Sequence, residues 1–562
     1  MSLQFITGNS GNGKTKYLFN RIVKEAKANP RDNYLVIVPE QFTMQTQRQL
    51  VDLSENKAIM NIDVLSFKRL AYRVFDELGI TNLTVLEETG KNLVLRKLAA
   101  QEADKLGVIG RNLNRIGYIS EVKSLLSELV QYNISPEELG RYIASGRLSD
   151  TLSDKLKDVL VLYEAFEKFM QDKYITAEEI LNVLSNVAEE SAILRNSVIA
   201  FDEFTGFTPI QNQLIKKLFV ISKKIYVTLT IDCREDIFKS RGMQELFDMP
   251  KRTVKSLTEM AAFYGIEVEE PIILDKNYRL AENEELSFME QQLFRKRRCS
   301  FKKEPKHIHI DCLRDPKQEL TKIARRINEL VRNENLRYRD IAIVTGDVNI
   351  YAGYVREIFD KYNIPYFIDA TQEILFHPFI EFIRSIPDIA AQNFSADAVF
   401  RFLRCGFSEL LDSEIDVLEN YVLACGVRGK SAWDKKWVRL PKHKAGYDLE
   451  LLNQSREYIM ELLKPVYQVF SDKKSTVKDY VLAIYKLIVL LDIPDKLAKK
   501  EQALLDAGDQ TASKEYGQIY KIVMQLFEKY VAVLGDECMD AEEFTQILDA
   551  GLDASYRRDT TL

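Results

Sequence analysis

The chain has 562 residues, room for several domains at roughly 150 residues each. Hydrophobic residues make up 46% and charged residues 29% of it, which excludes a disordered polymer. A net charge of -6 excludes a global basic field for nucleic acid or membrane, so any polyanion must be held locally.

The 23 Gly and 14 Pro are about 7% of the chain against an average near 12%, which leaves little room for flexible linkers or turn-dense β architecture. A helix-rich protein is expected. The six cysteines are scattered without a C-x-x-C, which points to a reducing, cytoplasmic setting. Neither a signal-peptide pattern at the N-terminus nor a run of about 18 apolar residues occurs, so no secretion or membrane partner is expected.

In chain order, Leu3 to Thr7 reads as a strand, Lys14 to Ala28 as a helix and Tyr34 to Val38 as a second strand. Short, fully apolar strands divided by a helix predict a parallel sheet covered on both faces. Residues 83–195 carry helical periodicity, with start signals at Ser135-Pro-Glu-Glu138 and Thr176-Ala-Glu-Glu179, where a hydroxyl caps and a glutamate closes the box. Strands follow at Ser197 to Phe201 and Ile225 to Ile231. A second β-α-β region is expected from His307 to Asp311, the helix Pro316 to Arg332, Ile341 to Thr345 and Ile364 to Ile368, with helix again from Pro378 onward.

The eight residues Gly8, Asn9, Ser10, Gly11, Asn12, Gly13, Lys14 and Thr15 match G-x-x-x-x-G-K-T between a strand and a helix, the setting this phosphate-binding loop requires. The glycines let backbone N–H groups wrap phosphate oxygens, and the helix N-terminus adds its positive dipole end. Lys14 reaches the outer phosphates, and the Thr15 hydroxyl is placed to ligate magnesium. ATP with Mg2+ is therefore the expected cofactor. Such a loop also needs a carboxylate at the end of a neighbouring strand, and Val198-Ile-Ala-Phe-Asp202-Glu203 supplies it. Asp202 is the metal candidate and Glu203 the candidate base for an attacking water.

The segment Asp202-Glu-Phe-Thr-Gly-Phe-Thr-Pro-Ile-Gln211 resembles the D-E-F-Q-D-T-x-x-x-Q of superfamily 1 helicases of the UvrD and RecB type. Thr205 and Gly206 depart from it, where the family's Gln and Asp help couple nucleotide state to movement. Asp63 to Arg73 is similar to the family's T-F-H-x-L-A-x-R, and Asn277-Tyr278-Arg279 to its N-Y-R, whose arginine lies against the γ-phosphate. Arg279 is accordingly a catalytic candidate beside Lys14, Asp202 and Glu203. Only seven residues precede Gly8, too few for the adenine-reading motif found upstream in that family, and no late arginine-finger motif appears. A degenerate motor is implied.

Within that superfamily the chain resembles the B subunits of AddAB (RexAB) helicase-nucleases. The resemblance rests on the early phosphate loop, Val38-Pro-Glu-Gln-Phe-Thr43, Phe204-Thr-Gly-Phe-Thr-Pro209, Leu418 to Leu423, Gly426-Val-Arg-Gly429 and Trp433. It implies an α/β fold of RecA-like parallel sheets with large helical insertions. The layout expected from it is a first RecA-like domain at 1–82 and 196–295, a helical insertion at 83–195, the start of a second RecA-like domain at 300–375 and a helical insertion at 376–562. It further implies a heterodimer with the A subunit of the helicase-nuclease, in a bacterial cytoplasm. The resemblance implies that the complex acts on single- and double-stranded DNA ends during break repair and that its B component scans for a hotspot sequence. The family's nuclease domain and iron-sulfur cluster are expected only in a C-terminal part that this chain does not include. Little or no unwinding is expected of the chain alone. A self-sufficient translocase and a non-hydrolysing scaffold stay open as alternatives.

Weaker signals divide between function and structure. Arg295-Lys-Arg-Arg298 with Lys302, Lys303 and Lys306 suits DNA phosphates and equally a solvated connector. Phe42, Phe67 and Tyr72 fall in segments that line the DNA path of the resembled helicases, although core packing is the default for such rings. His307 and His309 share a strand face but lack a third metal ligand.

Overall fold

The computed structural model describes residues 1–80, 85–86, 88–108, 110, 118–146, 148–171, 174–295, 299–368, 371–373, 376–441, 447–472, 474–553 and 556–558. The chain divides into two compact units, one of Met1–Val85, Leu125–Tyr142 and Met170–Asp311, the other of Leu86–Ser124, Ile143–Phe169 and Cys312–Leu562.

The first unit is built on a parallel sheet. Its elements in order are β1 (Ser2–Gly8), α1 (Lys14–Ala28), β2 (Tyr34–Ile37), α2 (Thr43–Leu53), β3 (Ile62–Leu65) and α3 (Phe67–Leu78). After a helical excursion come β4 (Val198–Phe201), α4 (Pro209–Ile221), β5 (Lys224–Thr230), α5 (Asp248–Phe263), β6 (Glu267–Val268), β7 (Ile272–Leu274) and α6 (Glu284–Gln292). The strands lie in the order β3-β2-β4-β5-β1-β6, with β7 also pairing β1. Every pairing among them is parallel. Strands β1, β2, β4 and β5 are apolar because both faces are covered. Ile6, Val36 and Ala200 pack with Leu18, Phe19 and Leu50 on one face, while Phe5, Ile37 and Phe201 pack with Leu70, Leu214 and Leu257 on the other. The α/β class expected from the sequence is the class observed.

The start signals act as their chemistry predicts. Ser135 Oγ accepts from the Glu138 N–H at 3.3 Å. At Thr176 the box is reciprocal, with Glu179 N donating to the hydroxyl at 3.2 Å and Thr176 N donating to the Glu179 carboxylate at 2.7 Å. The α-helix that follows begins only at Ile180.

The second unit is mainly helical. Pro378–Ala391 packs against Ala396–Leu403, Leu449–Ser471 and Ala541–Asp553 around a core that includes Phe379, Phe382, Trp433 and Tyr530. Gly426, in a left-handed conformation, ends the helix Asp412–Cys425. Trp433 is buried beside Phe400 and Trp437, and Arg456 donates to its carbonyl at 2.9 Å. These residues therefore build core and caps. No helix among the described residues is long and apolar enough to cross a membrane.

One expectation is corrected. His307–Asp311, Ile341–Thr345 and Ile364–Ile368 form no strand. A strand exists only where a neighbour takes its N–H and C=O groups, and none of these segments has such a neighbour among the described residues. The helices Pro316–Asn333 and Val348–Lys361 do pack on each other through Leu320, Ile327, Ile358 and Phe359. Val344 is nonetheless 93% exposed and Phe367 57% exposed.

Candidate functional site

The glycine-rich loop occupies the turn from β1 into α1. Gly11 (φ 87°) and Gly13 (φ 78°) hold the left-handed backbone that lets the loop turn back on itself. Gly13 is the residue before α1 and offers no side-chain cap, so the first-turn N–H groups of the helix lack an internal partner and suit an anion.

Lys14 lies folded against its own loop, its Nζ donating to the carbonyls of Gly8 and Asn9 at 3.1 Å each. Burial lowers its pKa, opposed by the nearby Glu203 and Asp202 carboxylates. The ammonium thus sits in a place that gains from an added negative charge. Thr15 Oγ1 donates to Glu203 Oε1 at 3.2 Å.

Asp202 follows β4 directly, one strand removed from β1, and is fully buried. Thr228 on the intervening β5 donates to its Oδ1. Its other oxygen, Oδ2, is buried without a hydrogen-bond partner among the described residues. Burial raises the Asp202 pKa, Thr228 lowers it and the charge of Glu203 raises it again. An orphaned, desolvated carboxylate oxygen beside a threonine hydroxyl is a donor set that fits a hard divalent cation such as Mg2+. Glu203 itself holds a left-handed backbone at φ 64°, an uncommon conformation for a residue with a side chain and one that concentrates at functional positions.

These groups open onto one cavity of about 760 Å³, lined by Lys14, Thr15, Asp202 and Glu203 together with Tyr278 and Arg279. Arg279 is exposed at its rim. All four catalytic candidates are thus brought together. Of the eight loop residues, Asn9 and Asn12 turn their side chains into the scaffold. Asn12 Nδ2 donates to the Leu274 carbonyl at 2.5 Å, and Asn9 Nδ2 donates to Glu290 at 2.9 Å.

Sequence reasoning missed Thr228, Leu274 and Glu290, because only the tertiary fold brings Thr228 to Asp202 and the other two to the loop. The departing Thr205 and Gly206 lie against α5, where Thr253 Oγ1 donates to the Thr205 carbonyl at 3.1 Å. Gln211 is used locally. It closes a capping box with Thr208 at the start of α4.

Of the aromatic candidates, Phe67 is core, packed against Phe201, Phe204 and Phe207. Phe42 is half-buried and lines the cavity, while Tyr72 is 38% exposed. Arg295, grouped with the basic run, is instead committed to buried Asp232 at 2.9 Å, and Lys303 pairs with Glu284. Lys296, Arg297 and Arg298 lie outside the described residues.

Comparison with known proteins places these features in a lineage. The family described as "ADDB, N-terminal" matches residues 5–290, just over half of the chain. A protein of Lachnoclostridium phytofermentans, named as the B subunit of an ATP-dependent helicase/deoxyribonuclease, is 38% identical over 98% of this chain and 49% of its own length. Proteins of the same name from Clostridium acetobutylicum and Caldanaerobacter subterraneus are each 32% identical over 98% of this chain and 48% of theirs. The chain thus spans about half the length of the curated relatives it matches.

Proposed function

Since the chain belongs to the ADDB N-terminal family, we propose that it serves as the nucleotide-binding, helicase-like part of the B component of an ATP-dependent helicase/deoxyribonuclease. In this reading it binds ATP with Mg2+ and single-stranded DNA beside the A subunit as its partner, in the bacterial cytoplasm, during the processing of double-strand DNA ends. The names of its relatives support the general role. Scanning for a hotspot sequence is the finer role that the family relationship suggests.

The observation that carries the reading is the convergence of Lys14, Thr15, Asp202 and Arg279 on one cavity, with a buried carboxylate oxygen left unpaired. Mg-ATP would supply the phosphoanhydride bond and the metal charge. The chain's residues do the rest. Lys14 leaves its carbonyl partners for the outer phosphates, Thr15 and Asp202 hold the cation, and the loop N–H groups take phosphate oxygens. Glu203 is placed to accept a proton from water, and Arg279 to offset charge on the terminal phosphate. The Thr205 and Gly206 departures support a motor that binds nucleotide but couples it poorly to movement.

Equilibrium binding of a fluorescent ATP analogue with magnesium tests this, comparing the intact chain with Lys14→Ala. A loss of about tenfold or more, about 1.4 kcal/mol, is expected. Equal binding by the two proteins takes the nucleotide site away from this loop, and binding by neither removes the nucleotide reading and leaves a scaffold. Strand separation by the purified chain with ATP would overturn the view of a poorly coupled motor.

A further inference from the structure

The phosphates would meet the inner, N–H side of the loop. The carbonyls of Ser10 and Gly11 are held by the segment between β7 and α6. Asn277 Nδ2 donates to the Ser10 carbonyl at 2.9 Å, and the N–H of Tyr278 donates to the Gly11 carbonyl at 3.0 Å. Asn277 Oδ1 meanwhile accepts from the Leu280 N–H at 3.0 Å, fixing the turn that carries it. The fit is close: a Cβ on Gly11 would lie 2.7 Å from Asn277 Oδ1 and 2.9 Å from the Arg279 Cβ. A second hold acts on Asn9, which accepts from the Cys233 N–H and donates to Glu290, both at 2.9 Å.

We propose that Asn277 is a positioning residue for the phosphate loop, assisted by Glu290, and that the loop's binding shape is set from this outer strap. A trans peptide is planar, with each C=O antiparallel to the following N–H. Holding the Ser10 carbonyl outward therefore turns the Gly11 N–H away from the strap.

The strap also bears on how Lys14 would exchange partners. Lys14 bonds the Gly8 and Asn9 carbonyls, and both bonds are lost when its ammonium moves to a phosphate. The Asn277 and Glu290 bonds involve neither Lys14 nor ligand, so they keep the loop open while Lys14 changes partners. A loop that needs no rearrangement binds more tightly than one that must be ordered. The expected effect on affinity rests on the nucleotide reading above, whereas the shape of the loop does not.

The test is hydrogen exchange of the amides in residues 8–15 of the nucleotide-free chain, together with affinity for the fluorescent ATP analogue with magnesium. Asn277→Asp keeps the acceptor for Leu280, and with it the turn, but loses the donor to Ser10. Glu290→Ala removes the acceptor for Asn9 and Glu290→Gln retains one. Faster loop exchange in N277D and E290A, wild-type exchange in E290Q and unchanged exchange in the sheet strands are expected. Affinity in N277D should fall about fivefold, the scale of one lost hydrogen bond.

Unchanged loop exchange in a folded N277D overturns the proposal. So does equal acceleration in E290Q and E290A. If N277D fails to fold, the Glu290 pair decides by the same criterion. Faster exchange in a chain whose wild type binds no ATP supports the strap while removing the nucleotide reading.

Discussion

Thr228 donates a hydrogen bond to one oxygen of the Asp202 carboxylate, and the second oxygen of Asp202 stays buried without a partner among the described residues. Asp202 directly follows β4 and Thr228 lies within the adjacent parallel strand β5, so the sheet itself sets a half-satisfied carboxylate beside the glycine-rich loop. A buried, half-satisfied carboxylate costs stability, and the cost is measurable.

Asp202→Asn is expected to raise the melting temperature of the metal-free, nucleotide-free chain by about 2 °C or more, while abolishing magnesium-dependent ATP binding. The pH dependence has a definite sign. Burial first, and then the charge of Glu203, raise the folded-state pKa of Asp202. Its contribution is therefore fully present below the ordinary aspartate value and lost as pH rises through the raised one. The advantage of D202N should widen from about pH 4 towards neutrality and vanish when Mg-ATP saturates the wild type. A melting temperature lowered by the substitution at neutral pH would contradict this.

Asp232 carries the opposite sign. Burial alone would raise its carboxyl, but Arg234 and Arg295 bind it and hold it well below the usual carboxylate range. The stability it contributes is present above the ordinary pKa and lost as pH falls through the lowered one. Asp232→Asn should lower the urea midpoint at pH 7, and the gap from wild type should close as pH falls below about 4. A gap of constant size across that range would show that charge is not what holds this corner.

Phe67→Ala is predicted to cost about 3 kcal/mol or more, because its ring contacts those of Phe201, Phe204 and Phe207 in the core. Tyr72→Ala, at a ring 38% exposed that meets Phe75 edge-on, should cost only about 1 kcal/mol. Chemical unfolding followed by tyrosine fluorescence and circular dichroism separates the two. Weaker binding to single-stranded DNA by a stable, fully folded Phe67→Ala protein would instead place that ring on a DNA path.

Val344 and Phe367 lie on segments that find no strand partner among the described residues, and both are exposed. Unpaired apolar segments of this kind invite association. Val344→Lys should reduce self-association in sedimentation velocity while moving the melting temperature by no more than about 2 °C. Unchanged association would clear this segment of the role.

Much of the candidate site was legible in the sequence because its chemistry is local. Gly11 and Gly13 are dictated by backbone conformation, and Lys14 and Thr15 follow them into the first turn of a helix. Asp202 and Glu203 could be read because an apolar strand ends in two acids. Thr228, Glu290 and the role of Asn277 could not, since each acts through a hydrogen bond to a residue 26 to 281 positions away. The role of Arg295 was hidden for the same reason: its partner, Asp232, lies 63 residues earlier.

By itself, then, the sequence determined the elements whose forces act over a few residues: the apolar strands, the capped helix starts and the glycine turn that carries Lys14 and Thr15 into a helix. Tertiary structure alone decided which apolar segments become strands and which polar groups are left unpaired. Ile341–Thr345 has strand composition without a ladder, because a strand is a property of two chains side by side. Asp202 has an unsatisfied oxygen because burial and partner geometry are set by neighbours that no local pattern records.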